Sequence, residues 1–106
     1  MREPPPDLFR EWIHSYEEDH EDVRVYRPDG FPFPPARGRR VMEFRPDGTF
    51  VDHPIGRGDA PDAVPGRWRL VSDRHLALTF EGAAPDRELE ILRCDEDVLH
   101  VRRPAG

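Results

Sequence analysis

Apolar and polar residues alternate with a period of two along most of this chain, most clearly from Arg39 to Val51. There V-M-E-F and T-F-V flank the triplet Pro46-Asp47-Gly48. Proline pre-sets φ, aspartate can bond its own backbone, and glycine accepts the left-handed conformation, so a bulged hairpin is expected. With Arg45 facing Thr49, Phe44 falls opposite Phe50 and Met42 opposite Asp52. Strand alternation then places Arg40, Met42, Phe44, Phe50 and Asp52 on one face and Val41, Glu43 and Val51 on the other.

The same period marks further strands. Residues 11–17 carry Trp12, His14 and Tyr16 on one face, and 23–27 form a second strand. A turn at 72–74 joins strands 66–71 and 75–81, setting Leu70 opposite Leu76 and Trp68 opposite Leu78. Strand 87–93 presents Leu89 and Ile91, and 97–102 presents Leu99 and Val101. The turn of the central hairpin recurs, as Y-R-P-D-G at 26–30 and F-R-P-D-G at 44–48. Between them the prolines at 32, 34 and 35 exclude a central strand and predict an irregular loop holding Phe31 and Phe33. A second long loop is expected from Pro54 to Pro65, and a turn at Gly82–Asp86.

Eight short strands with turn signals every ~8–12 residues predict an all-β antiparallel meander. Closure into an eight-stranded up-and-down barrel covers the apolar face and removes exposed edges; a two-sheet β-sandwich is the alternative. The expected inward set is Trp12, Tyr16, Val23, Val25, Met42, Phe44, Phe50, Trp68, Leu70, Leu76, Leu78, Phe80, Leu89, Ile91, Leu99 and Val101. So many large side chains predict a filled interior, with any pocket small and at one mouth.

At 106 residues the chain makes one domain, a proline-rich lead-in at 1–10 followed by the barrel at 11–106, with a short helical turn expected over Leu8–Glu11. Hydrophobic and charged residues each make up 36%, so each strand keeps one wet face. The net charge is −6 and all 16 basic residues are arginine, a bias that a GC-rich bacterial genome produces. An acidic balance argues against nucleic-acid or anionic-membrane partners, both of which require a basic footprint. Cys94 stands alone, no stretch approaches membrane-spanning length, and no signal-peptide core follows Met1. The expected location is cytoplasmic.

Candidate chemistry is sparse. His14 sits between Trp12 and Tyr16 on the inward face, where it either contacts a ligand or is held by a core partner. Arg40 and Asp52 lie diagonally near one barrel end, as a polar ligand's anchors or as an end-of-hairpin ion pair. Arg93 and Asp97 are expected to face each other across the last hairpin as a structural pair. The acidic run Glu17–Asp22 lacks the glycine and oxygen spacing of a calcium loop and reads as a solvated turn. The five histidines show no zinc spacing, so no metal is expected. Ser15 and His14 point to opposite strand faces, and the acidic neighbours of Cys94 disfavour its thiolate, so no catalytic residue is assigned.

The motifs E-W-I-H-S (11–15), M-E-F-R-P-D-G-T-F (42–50), G-R-W-R-L (66–70), L-A-L-T-F (76–80) and the closing strands at 89–101 together cover most of the chain. In them the chain resembles the lipocalin-like small barrels of bacteria. That resemblance implies the barrel fold and ligand binding, and it carries over no catalytic residue. The expected function is a non-enzymatic binding protein without a cofactor. A small molecule would sit at one mouth near Trp12, His14, Tyr16, Arg40 and Asp52, covered by Phe31 and Phe33. Alternatively the Phe31–Phe33 loop docks a protein partner or forms a homodimer.

Overall fold

The computed structural model describes residues 4–35, 38–53, 63–80 and 86–103. Period-two burial closes them into an antiparallel barrel of eight strands. These are β1 (Glu11–His14), β2 (Arg24–Pro28), β3 (Val41–Phe44), β4 (Thr49–His53), β5 (Val64–Ser72), β6 (His75–Phe80), β7 (Arg87–Cys94) and β8 (Leu99–Arg102). Two short 3-10 turns, Pro6–Leu8 and Tyr16–Glu18, complete the described elements. The loop expected from Pro54 falls outside the described residues as far as residue 62, and the turn expected at Gly82–Asp86 does so as far as residue 85.

The central hairpin adopts the expected register: Phe44 pairs with Phe50 and Met42 with Asp52. The Arg45 N–H donates to the Thr49 carbonyl at 3.0 Å. Gly48 at φ 91° and Gly30 at φ 96° both take the left-handed conformation, but only the second R-P-D-G closes a hairpin, since β2 and β3 are not neighbours. Leu70 faces Leu76 and Trp68 faces Leu78. Trp12, Met42, Phe44, Phe50, Leu76, Leu78 and Leu99 are all 2% exposed or less and pack as one cluster, so side chains fill the middle.

The strand path is up-and-down from β3 to β8, with one crossover. Around the barrel the order is β1-β2-β8-β7-β6-β5-β4-β3, so β1 lies between β2 and β3. Both neighbours run antiparallel to β1, and the connection from Pro28 to Val41 must therefore return along the barrel wall. The end where β4 finishes and β3 begins is called the lower mouth below. At the upper mouth the lead-in folds inward as the Pro6–Leu8 turn, earlier than the Leu8–Glu11 turn expected. Leu8 is fully buried, and its carbonyl accepts a hydrogen bond from Trp12 Nε1 at 3.0 Å.

Two expectations for the inward face are corrected. β1 ends at His14, because Ser15 starts the Tyr16–Glu18 turn; Tyr16 leaves the inner face and is 43% exposed. In β2 the inward residue is Tyr26, paired with His14 and Leu99, while Val23 lies outside the strand and Val25 points outward. Val25 is nonetheless 1% exposed, because residues 15–19 lie against it. Its carbonyl accepts from Ser15 N, and its N–H donates to Asp19 Oδ1.

Candidate functional site at the lower mouth

Beneath the apolar core, inward-facing positions become polar. Asp52 occupies the inner face of β4 two residues below Phe50, as strand parity requires, and is 3% exposed. A buried carboxylate needs paired charge and donors to offset its lost hydration. Two arginines supply them. Arg87, at the start of β7 on the face of Leu89 and Ile91, donates from NH2 to Asp52 Oδ2 at 2.7 Å. Arg40, one residue before β3, donates from NH2 to the same oxygen at 3.2 Å. Arg40 Nε and Asp52 Oδ1 also lie 3.2 Å apart, but alignment fails and neither atom has a hydrogen bond among the described residues.

Tyr26 and His14 form the opposite wall. Their rings stack at 4.8 Å between centroids and 23° between planes. Burial pushes the Tyr26 hydroxyl up to about 12, and the charges of Arg40, Asp52, Asp19 and Arg87 also act on it. The phenol therefore stays protonated at neutral pH, able to donate as well as accept. His14 Nε2 lies 2.8 Å from Asp19 Oδ2, and Asp19 Oδ1 accepts from Val25 N, so the carboxylate holds the imidazole from outside the wall. The Arg87 guanidinium lies 4.9 Å from the Phe80 ring centroid, adding a cation–π contact to its ion pair.

The structure thus brings together three expected residues, His14, Arg40 and Asp52, and adds Tyr26 and Arg87. Trp12 belongs to the core and donates its only polar atom to Leu8. Tyr16 packs outside the wall, its ring in edge contact with His14 at 6.0 Å. Phe31 and Phe33 make their ring contacts on and beside the return segment that carries them. They pair with each other at 4.9 Å. Arg27 lies 4.7 Å from the Phe31 ring, and Arg39 lies between the rings of Phe33 and Tyr16 at 4.8 and 4.7 Å. The return segment carries these aromatics because the crossover sends it along the outside of the barrel.

The acidic run is more firmly tied than a solvated turn. Glu17 pairs with Arg39, and Glu18 accepts from Arg27 and Ser15. Arg93 takes Asp95 as partner and stands opposite His100 in the ladder, rather than meeting Asp97. Half-burial, reinforced by Asp7 and Asp95, raises the Cys94 thiol to about 12, which keeps it a thiol at neutral pH.

The hydrogen bond from Arg27 holds the Glu18 carboxyl down at about 2 against an ordinary 4.5. Glu17 and Glu43 are lowered in the same direction by Arg39 and Arg45. A depressed carboxyl stabilises the folded state fully above its unfolded pKa and loses that contribution as pH falls through its folded one. Stability should therefore fall between pH 4.5 and about 2. Thermal unfolding followed down this range should show the loss, and Glu18→Gln should flatten it; equal slopes in both proteins would assign the loss to other groups.

No family model, curated protein or solved structure matches this chain. Site geometry alone must therefore carry the functional reading. No helix among the described residues is long and apolar enough to cross a membrane.

Proposed function

We propose that this protein is a non-enzymatic binding protein for a small organic anion, held at the lower mouth by Arg40, Arg87, Tyr26 and His14. The supporting observation is that one buried carboxylate stands between two guanidiniums. Asp52 balances one positive charge and leaves one over. The Arg40 and Arg87 side chains are 36% and 30% exposed, so an anion can reach them from solvent, and Arg40 Nε is buried without a hydrogen bond. A carboxylate suits such planar N–H forks. The chain's net −6 opposes an approaching anion, but this opposition is screened beyond ~8 Å at physiological salt, whereas two arginines act at contact. The filled interior favours a small ligand seated at the mouth over a long apolar one threaded into the barrel.

Titration of the 106-residue chain with a panel of small carboxylates, their amides and their amines, followed by NMR, tests this reading. Carboxylates should perturb the Tyr26 and His14 resonances saturably. Arg87→Ala should weaken binding about 10- to 100-fold, the range for one charge-assisted hydrogen bond, while Asp52 keeps Arg40 as partner. Absence of binding by every carboxylate, or equal binding by Arg87→Ala, would sink the reading. Docking of a protein partner or second copy through Phe31 and Phe33 has weaker support, because arginines already occupy their ring faces.

A further inference from the structure

The outer wall of the barrel carries a second cluster, on the opposite face from the mouth chemistry because strand alternation turns it outward. Glu11 of β1 stands directly opposite Glu43 of β3 in the ladder. His53 of β4 pairs with Val41, which places it diagonally from Glu43 on the same face. One donor atom from each of the three side chains lies within 4.8 Å of the other two. We propose that Glu11, Glu43 and His53 form a binding site for a divalent transition-metal ion of the zinc class.

The geometry suits such an ion. Zinc bonds of ~2.0–2.2 Å in a tetrahedron place donors ~3.3–3.6 Å apart. Donors already within 4.8 Å of one another stand close to that spacing. Imidazole favours zinc, copper, iron and nickel over magnesium or calcium, and two carboxylates add the charge that holds a dication. Three protein ligands on an outward face leave the fourth position to water. Like charges directly opposed across a strand pair are destabilising, and a bound dication would reverse that sign. Among the described residues, the Glu11 and His53 side chains make no hydrogen bond or ion pair; Glu43 is held by Arg45 through Nε at 3.0 Å and NH2 at 3.1 Å. Arg45 therefore competes with the metal for Glu43.

Calorimetric titration of the full chain with zinc chloride in a non-coordinating buffer tests the site. The expected result is one equivalent bound with micromolar affinity. His53→Ala and Glu11→Gln should each weaken binding at least about tenfold, the scale of losing one ligand. Arg45→Ala should strengthen it several-fold by releasing Glu43. These side chains lie on the outer surface, and NMR of the His53 ring supplies a readout independent of affinity, since zinc should shift that ring before the other histidines. Overturning results would be no binding by the wild type, binding unchanged in His53→Ala, or zinc shifting the other histidine rings first.

Discussion

Trp12→Ala is expected to destabilise the protein by about 3–5 kcal/mol, the range for emptying a buried aromatic site. Trp12 is fully buried in the core cluster between its strand partners Pro28 and Met42. Its Nε1 donates to the Leu8 carbonyl, so the substitution also releases the turn that closes the upper mouth. A domain of this size is stable by only ~5–15 kcal/mol, and each kcal/mol moves the midpoint by roughly 4–8 °C. The variant should therefore melt tens of degrees lower or fail to fold at 37 °C. Trp12→Phe, which keeps an aromatic ring and loses the donor, should cost about 1–2 kcal/mol. Denaturant unfolding of the two variants checks both the total and its division; equal losses would show that the hydrogen bond, rather than the packing, dominates.

Gly66→Ala should cost about 3 kcal/mol, the upper part of the range for overpacking a closed interior. Alanine normally improves on glycine in a strand by ~0.5–1 kcal/mol, so the sign here is set by space. Gly66 lies in the ladder between Phe50 and Phe80, whose rings approach to 5.8 Å. A Cβ at this position would press on the Thr79 backbone carbonyl oxygen and stand 3.0 Å from Phe80 Cδ1. A side chain can rotate away; a carbonyl held in the β5–β6 ladder can move only with its strand. Trimming Phe80 to leucine should therefore fail to rescue Gly66→Ala. Full rescue, measured as a recovered denaturant midpoint, would instead identify the ring as the obstacle.

Much of this fold could be read from the chain because local signals agreed with one another. The P-D-G turn and the Phe44–Phe50 pair select the same register, and the Leu70–Leu76 and Trp68–Leu78 pairs follow from another short turn. β2 resisted that reading for a physical reason. At its centre both faces are dry, one against the core through Tyr26 and the other against residues 15–19 through Val25. Alternation distinguishes faces only where one of them is wet. The end of β1 was hidden because E-W-I-H-S-Y-E keeps a strand's period while Ser15 turns the backbone aside. Arg40, Asp52 and His14 were visible through parity with Met42, Phe50 and Trp12. Arg87 could have been found the same way, sharing parity with Leu89 and Ile91. The Glu11–Glu43–His53 cluster spans three strands, and no spacing within one segment could announce it.

The place of β1 in the wall has a consequence for how the molecule is made. Strands β3 to β8 form a run of consecutive hairpins, but that ribbon alone has two bare edges, along β3 and β8. The β1–β2 hairpin, synthesised before both, can dock on β3 as soon as that strand exists, but β2 has no second neighbour until β8 does. Closure therefore waits for β8, and any delay at that strand leaves two sticky borders open to a neighbouring nascent chain.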